Sequence, residues 1–112
     1  MRIATAWLAL VWAAAGWAQD VTGTIVGNVT DPSGASVPGA RITVTATDRN
    51  LAVRTVESDA KGEFVAALLP VGRYALAVDA KGFKRLVKTG IVLRVGEKLT
   101  FPLASAYDRP KP

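Results

Sequence analysis

The sequence predicts an all-β fold: a single antiparallel β-sandwich of about seven strands, preceded by a helical signal peptide. Short runs in which apolar and polar residues alternate, the pattern of half-buried strands, recur from Thr24 to Leu103. Turn signals rich in Gly, Pro and Asp separate these runs about every eight to twelve residues. No segment after Gln19 repeats its apolar residues at a helical spacing, so no helix is expected beyond the signal peptide.

Residues 1–18 have the composition of a signal peptide. Arg2 supplies a positive charge, Ile3 to Ala15 is almost entirely apolar, and the small residues Gly16 and Ala18 suit a cleavage site. We therefore expect cleavage after Ala18 and an exported mature protein, in the periplasm, associated with the outer membrane or secreted. A retained anchor is the alternative, but the apolar run is shorter than the about 20 residues that a membrane span needs, so no span is expected after cleavage.

The first predicted strand places Ile25, Gly27 and Val29 on one face. Two turns follow it. Asp31 to Gly34 combines an Asp that can accept a backbone hydrogen bond with a Pro that fixes φ, and Val37 to Ala40 contains a Pro-Gly pair. Two turns so close together predict a loop before the next strand.

Arg41 to Thr47 is the clearest strand, because apolar residues alternate with threonines of high β-propensity. Its inward residues are predicted to be Ile42, Val44 and Ala46. Leu51 to Ser58 also alternates, but its register stays open because Ala52, Arg54 and Val56 compete for one face.

Two further strands are predicted at Glu63 to Leu69 and at Tyr74 to Ala80. The first carries Phe64 and Ala66 on one face. The second alternates strictly and is therefore predicted to be a core strand, with Tyr74, Leu76, Val78 and Ala80 inward and Ala75, Ala77 and Asp79 outward.

The last extended runs are Phe83 to Val95 and Leu99 to Leu103, which we predict to pair as a hairpin around Gly96-Glu97. Pro102 should lie on an edge strand or at a strand end, because it cannot donate to a ladder. The predicted units are thus a signal peptide at 1–18, the sandwich at 22–104 and a flexible tail at 105–112.

Composition narrows the chemistry that the chain can perform. The chain has no cysteine and no histidine. Histidine is the usual proton shuttle and the commonest metal ligand in proteins. Its serines fall in turns or in the tail, where the sequence offers no base to activate them. We therefore expect no catalytic residue, no metal site and no cofactor, and we predict that the chain is not an enzyme. Asp31, Asp48, Asp59 and Asp79 could hold calcium, but an Asp that begins a turn more often caps the backbone.

Glycine, proline and aromatic residues form an ordered set of short motifs. The set is Gly27-x-Val29-x-Asp31-x-x-Gly34-x-x-Val37-Pro38-Gly39-Ala40, Asp59-x-x-Gly62-x-Phe64, Leu69-Pro70-x-Gly72-x-Tyr74 and Gly82-Phe83. In this order the motifs resemble the carboxypeptidase regulatory-like domain over roughly Thr22 to Leu103. The resemblance implies a transthyretin-like β-sandwich, grouped by fold with starch-binding-type domains, that is an accessory domain without activity of its own.

Such a domain directly after a signal peptide is also similar to the N-terminal extension of TonB-dependent outer-membrane receptors of the Oar-like kind. A receptor would continue into a plug and a barrel, whereas nine residues follow Leu103. The sequence therefore leaves open a free-standing domain, a truncated reading frame or a fragment, and no transport role is carried over.

One cluster of cations and aromatic residues is the candidate interaction surface. It comprises Lys81, Phe83, Lys84, Arg85, Lys88 and Tyr107. The formal net charge is +5, so an anionic envelope surface or an acidic partner fits this cluster. The sequence favours the other explanation, in which the lysines protect an edge strand against pairing with another sheet. Export argues against a nucleic-acid partner.

We expect an exported module for protein interaction or structural support at the cell envelope, whose partner is an envelope protein or a glycan. A carbohydrate-binding module, with Phe83 or Tyr107 as the sugar platform, is the first alternative. A truncated receptor extension is the second. The sequence does not predict the oligomeric state.

Overall fold

The computed structural model describes residues 21–107, and the predicted signal peptide lies outside them. The strands are β1 (Thr22–Thr30), β2 (Arg41–Ala46), β3 (Leu51–Glu57), β4 (Glu63–Pro70), β5 (Gly72–Asp79), β6 (Leu86–Leu93) and β7 (Lys98–Ala104). The prediction of an all-β sandwich of about seven strands is confirmed. Within the described range there is no helix long and apolar enough to cross a membrane.

The seven strands form two sheets, one in the order β4-β1-β7 and one in the order β3-β2-β5-β6. β7 pairs with β1 in parallel, from Thr24 opposite Lys98 to Thr30 opposite Ala104, while the other pairs are antiparallel. The predicted β6–β7 hairpin is therefore wrong. Its turn crosses between the sheets, because the Gly96 N–H donates to the Thr22 carbonyl at 2.9 Å and brings β7 to the open side of β1.

The core fills the space between the two sheets with the residues that strand alternation predicts. Ile25 and Val29 are buried in β1, and Phe64 and Ala66 are buried in β4. Tyr74 is only 1% exposed, and its hydroxyl donates to the Pro70 carbonyl. In β2 and β5 the buried alternating residues are Ile42, Val44, Ala46, Leu76 and Val78. Ala77, predicted to face outward, is also buried, whereas Ala80 is only partly buried.

A bulge decides the register of β3, which the sequence left open, and a second bulge changes the faces at the end of β4. In β3 the pairing with β2 shifts between Val44 and Thr45, so Val53 and Val56 pack against the core instead of Ala52. In β4 the backbone of Leu68 has φ +56°, which turns Leu68 outward and Leu69 inward. An extra residue in one strand reverses the faces that follow it.

Gly27 is required at the centre of β1 by close packing. It stands opposite Phe64 of β4 and Phe101 of β7. A Cβ at this position would lie 2.5 Å from the Phe101 carbonyl oxygen and 2.7 Å from the Phe64 ring. Any larger residue would therefore have to displace an aromatic ring or the neighbouring backbone.

Residues 105–107, predicted to belong to a flexible tail, are attached to the sandwich. Ser105 is buried and its N–H donates to the Thr30 carbonyl at 2.8 Å, while Tyr107 forms a β-bridge with Phe83. These residues remain attached to the sandwich because they continue the β1–β7 ladder and then contact the other sheet's connection. Residues 108–112 lie outside the described part.

Candidate functional site

Two Asp-initiated loops with the same geometry lie side by side where β1 ends and β4 begins. Asp31 Oδ1 accepts hydrogen bonds from the N–H groups of Ser33 and Ala35, both at 2.9 Å. Asp59 Oδ1 likewise accepts from the N–H groups of Lys61 and Glu63, both at 2.9 Å. Both carboxylates therefore cap backbone, as the turn interpretation predicts.

Gly62 fits these two loops against each other. Its φ is +77°, and a Cβ would lie 2.5 Å from the Val29 carbonyl oxygen and 3.2 Å from the Val37 nitrogen. Only glycine combines a left-handed backbone with so close an approach. The Asp59-x-x-Gly62 motif thus holds the second loop against the end of β1.

A buried hydroxyl ties the loop between β1 and β2 to the end of β3. Ser58 Oγ donates to the Val37 carbonyl at 2.7 Å and accepts from the Ala40 N–H at 2.8 Å. Both backbone groups would otherwise be buried without a partner. Ser58 therefore has a structural role, and this end of the sandwich is a braced platform.

Tyr107 joins this platform to the connection between β5 and β6. Its ring stacks on Phe83 with 5.3 Å between centroids and 27° between planes, and its hydroxyl donates to Asp31 Oδ2 at 3.2 Å. The Lys84 N–H donates to the Ala106 carbonyl at 2.8 Å beside it. We call this part of the molecule the Tyr107 end, comprising residues 31–40, 57–63, 79–85 and 105–107.

Hydrogen bonds to Asp31 change its acidity. The Ser33 hydroxyl, 2.6 Å from Oδ1, has the largest effect in holding the pKa of this carboxyl below its ordinary value. The backbone N–H groups of Ala35 and Ser33 and the Tyr107 hydroxyl act in the same direction. Donors that bond the ionised carboxylate favour it, so Asp31 is negative at neutral pH.

The cations of the candidate surface divide into two groups. Lys81, Lys84 and Arg85 are exposed on the connection before β6, where Arg85 makes a loose ion pair of 3.8 Å with Asp79. Lys88 instead lies within β6 on the inward side, since it stands opposite buried Leu76, and its ammonium lies 5.4 Å from the centroid of the Phe101 ring.

A shallow depression of about 440 Å³ opens beside Phe83. Arg41 of β2 lies between Glu57 of β3 and Asp79 of β5, so one row of the sheet presents two acids around one cation. The rest of the lining is Gly39, Ala80 and Lys81. The depression offers several hydrogen-bonding groups next to one aromatic side chain.

The structure brings five of the six predicted surface residues to the Tyr107 end and leaves Lys88 exposed at the β6 edge, on the side that faces the other sheet. Phe83 is half-buried and Tyr107 is 39% exposed, so Tyr107 is the more accessible ring. The sequence did not associate Asp31, Arg41 or Glu57 with this surface. Arg41 begins β2 and Glu57 ends β3, so antiparallel pairing of these two strands is the sequence signal that could have placed both at one end.

Comparison with family models gives a match to the carboxypeptidase regulatory-like domain over residues 24–104. The chain belongs to this family. Among residues 21–107 no group of three or more His, Cys, Asp or Glu side chains lies close enough to hold a metal ion. A search of curated proteins found no match.

Solved structures share the fold of this family member at low sequence identity. The Bacillus anthracis TIE protein matches with a TM-score of 0.63 and 19% identity, over 78% of this chain and 17% of its own. Hydroxyquinol 1,2-dioxygenase from Pseudomonas putida matches with a TM-score of 0.63 and 14% identity, over 82% of this chain and 58% of its own. A streptococcal ancillary pilin matches with a TM-score of 0.61 and 14% identity, over 80% of this chain and 34% of its own.

The prediction that the chain is not an enzyme is contradicted by these comparisons, because several of the similar structures are catechol dioxygenases. The carboxypeptidase regulatory-like domain spans between 17% and 58% of the first similar structures. Their identity of 10–19% reflects the shared fold, which assigns no reaction to this chain.

Proposed function

We propose that this β-sandwich module is exported to the cell envelope and docks a protein partner through the Tyr107 end. The observation that carries the proposal is the Tyr107 ring, which joins the Asp31 loop, the Phe83 turn and the C-terminal segment into one exposed surface. Loops held by a rigid scaffold are the usual location of binding residues. Here the scaffold is the pair of Asp-capped loops and the buried Ser58 hydroxyl.

The sheet edges support docking through loops over docking by strand addition. Arg54 of β3 and Lys88 of β6 stand in one inward-facing row of the four-stranded sheet, Arg54-Val44-Leu76-Lys88, with one cation at each edge. Inward-pointing charges on edge strands oppose the pairing of another strand.

Further features blunt these edges and the β7 edge of the three-stranded sheet. The Arg54 guanidinium donates to the Ala67 carbonyl at 2.7 Å and so closes the side where β3 faces β4. The β5–β6 ladder shifts between Tyr74 and Leu76. Pro102 lies in β7, an edge strand as predicted, and has no N–H to donate.

The three exposed cations on the connection before β6 favour an acidic partner at that part of the Tyr107 end. Lys81, Lys84 and Arg85 are exposed, while Asp31 is already engaged by backbone and hydroxyl donors. Exposed cations raise the association rate with a negative surface and set the orientation of docking. Arg85 gains little from its loose pair with Asp79 and remains available to a partner.

A photo-crosslinking amino acid in place of Lys84, used in envelope extract of the organism that carries the chain, tests the proposal. The matched control carries the crosslinking amino acid in place of Thr55. Thr55 is exposed on β3, at the edge of the four-stranded sheet opposite β6. We expect a discrete crosslinked protein from position 84 and none from position 55. Equal crosslinking from both positions, or none from either, would contradict docking through this end.

Carbohydrate recognition is the second candidate, favoured by the depression in which Arg41, Glu57 and Asp79 surround the approach to Phe83. Hydrogen-bonding groups beside an aromatic ring are what a sugar site needs. A glycan array separates the candidates. Binding that is lost in Phe83→Ala and retained in Val87→Ala, an exposed residue outside the depression, would support a sugar ligand. Silence across the array would leave the protein partner.

A further inference from the structure

The apolar side chains that the fold leaves in solvent concentrate at the opposite end of the sandwich, where β1, β3, β5 and β7 begin. We call it the Val95 end. Nine large apolar side chains are exposed among residues 21–107, and six of them belong to this end. The six are Val21, Leu51, Leu68, Val71, Val92 and Val95. Exposed apolar residues are normal when scattered, whereas a cluster indicates contact with something apolar.

Three of these side chains lie on adjoining segments. The Val71 N–H donates to the Val21 carbonyl at 3.3 Å, and the Gly96 N–H donates to the Thr22 carbonyl at 2.9 Å. The turn after β4 and the turn after β6 therefore flank the start of β1, and each presents a valine. Val95 is 67% exposed.

Leu68 adds a second, independent observation. It is 73% exposed, and its φ of +56° lies in the left-handed region that leucine avoids. The same bulge buries Leu69, but burial of Leu69 does not require a leucine at the exposed position 68. Strained backbone of this kind concentrates at functional sites.

The charges around this end have one predominant sign. Arg49, Arg73, Arg94 and Lys98 belong to this end. Its acids are Asp48 and Glu97, and Glu97 pairs loosely with Arg94 at 3.9 Å. The other five acids of the described range lie at the Tyr107 end. Apolar turns beside an excess of cations complement a bilayer that carries anionic headgroups.

We propose that the Val95 end inserts its apolar turns into the surface of an anionic lipid bilayer, with the arginines and Lys98 at the headgroups. The Tyr107 end then points away from the bilayer, about the length of the strands distant. This inference is independent of the protein docking proposed above, since it uses the other end of the molecule.

Single-cysteine labelling of the full chain tests this contact, because the chain has no cysteine of its own. Val95→Cys carries an environment-sensitive fluorophore, and Val87→Cys, exposed on the outer face of β6, is the matched control. The probes are vesicles of equimolar phosphatidylglycerol and phosphatidylcholine, and vesicles of phosphatidylcholine alone. Because the apolar run Ile3 to Ala15 precedes Val21 of the Val95 end, the measurement is repeated on the chain without residues 1–18, and loss of the shift in that chain would overturn the inference.

We expect a blue shift at position 95 with anionic vesicles, little shift with neutral ones, and none at position 87. Arg73→Gln should weaken the partition about fivefold, as expected for one cation near an anionic surface, while Lys61→Gln at the other end should not. Equal shifts at both positions would overturn the inference. So would a shifted spectrum without vesicles, which would mean that the apolar run or a second copy covers the end.

Discussion

Replacing Tyr74 tests the central packing of the sandwich and the reason for the Leu69-Pro70-x-Gly72-x-Tyr74 motif. The ring is 1% exposed and lies in one row between Ala46 of β2 and Ile91 of β6. Its hydroxyl donates to the Pro70 carbonyl and so ties the start of β5 to the end of β4. One residue therefore fills the core and braces the turn.

The two roles have different magnitudes. Tyr74→Ala removes a buried aromatic ring and should lower the free energy of unfolding by about 3–5 kcal/mol. Tyr74→Phe keeps the ring and removes one hydrogen bond, which should cost about 1 kcal/mol, or about 4–8 °C in Tm for a domain of this size. The first loss is a large part of the stability of a small domain, and the second is not.

The hydroxyl also gives Tyr74 a pH dependence of known sign. Burial raises the pKa of Tyr74 above its ordinary value near 10.0, because the charged phenolate would lose its hydration. Above that ordinary value the unfolded chain loses the proton first, so stability falls as pH rises toward the folded pKa. Tyr74→Phe has no ionisable hydroxyl at this position, so its free energy of unfolding should fall less at alkaline pH than that of the parent chain.

Urea unfolding followed by far-UV circular dichroism measures these effects, because the residues 21–107 contain no tryptophan to report by fluorescence. Tyr107→Phe, a change at the more exposed tyrosine, is the matched control and should leave the midpoint nearly unchanged. A loss below about 1 kcal/mol for Tyr74→Ala would mean that the ring is not in the core. The register of β5 would then be refuted.

Three further changes follow from the same structure. Gly27→Ala should lower the free energy of unfolding by about 1–3 kcal/mol, because its Cβ would lie 2.5 Å from the Phe101 carbonyl oxygen. Thr24→Ala in the same strand is the control and should lower the free energy of unfolding much less in the same urea titration. Lys88→Val should make the chain associate with rising concentration in sedimentation velocity, because it removes the inward charge from the β6 edge. Lys84→Val, outside the strand, is the control and should stay monomeric to the same degree as the parent chain. Association of both variants would refute the edge role of Lys88. Asp31→Asn should reduce the loss of stability that the parent chain shows below about pH 4. The lowered pKa of Asp31 stabilises the fold above the ordinary pKa of the carboxyl, and this contribution disappears as pH falls through the folded-state pKa. The same acid dependence of the unfolding free energy in both chains would contradict the expectation.

Local pattern predicted the faces of the strands better than their partners. The alternation in β2 and β5 identified Ile42, Val44, Tyr74 and Leu76 as inward, and all four are buried. The same pattern around Gly96 suggested a hairpin, because a turn signal carries no information about the open side of β1 that β7 joins instead. Parallel pairing of distant strands is a tertiary choice.

The candidate surface was predictable only in part for the same reason. Lys81, Phe83 and Lys84 are close in sequence, so their proximity needed no fold. Asp31 and Tyr107 are 76 residues apart and meet only because β1 and β7 run side by side in the same direction. The bulges at Val53 and Leu68 had no sequence signal either, since neither position holds the glycine that often marks one.

The most direct test of the proposed docking surface is crosslinking from position 84 in a chain that also carries Tyr107→Ala. If the Tyr107 ring assembles the surface from three segments, the crosslinked partner should disappear while the urea midpoint stays near that of the parent chain. Tyr107→Phe should weaken crosslinking less, because the ring stack with Phe83 remains. Undiminished crosslinking in Tyr107→Ala would contradict the account and place the docking residues elsewhere.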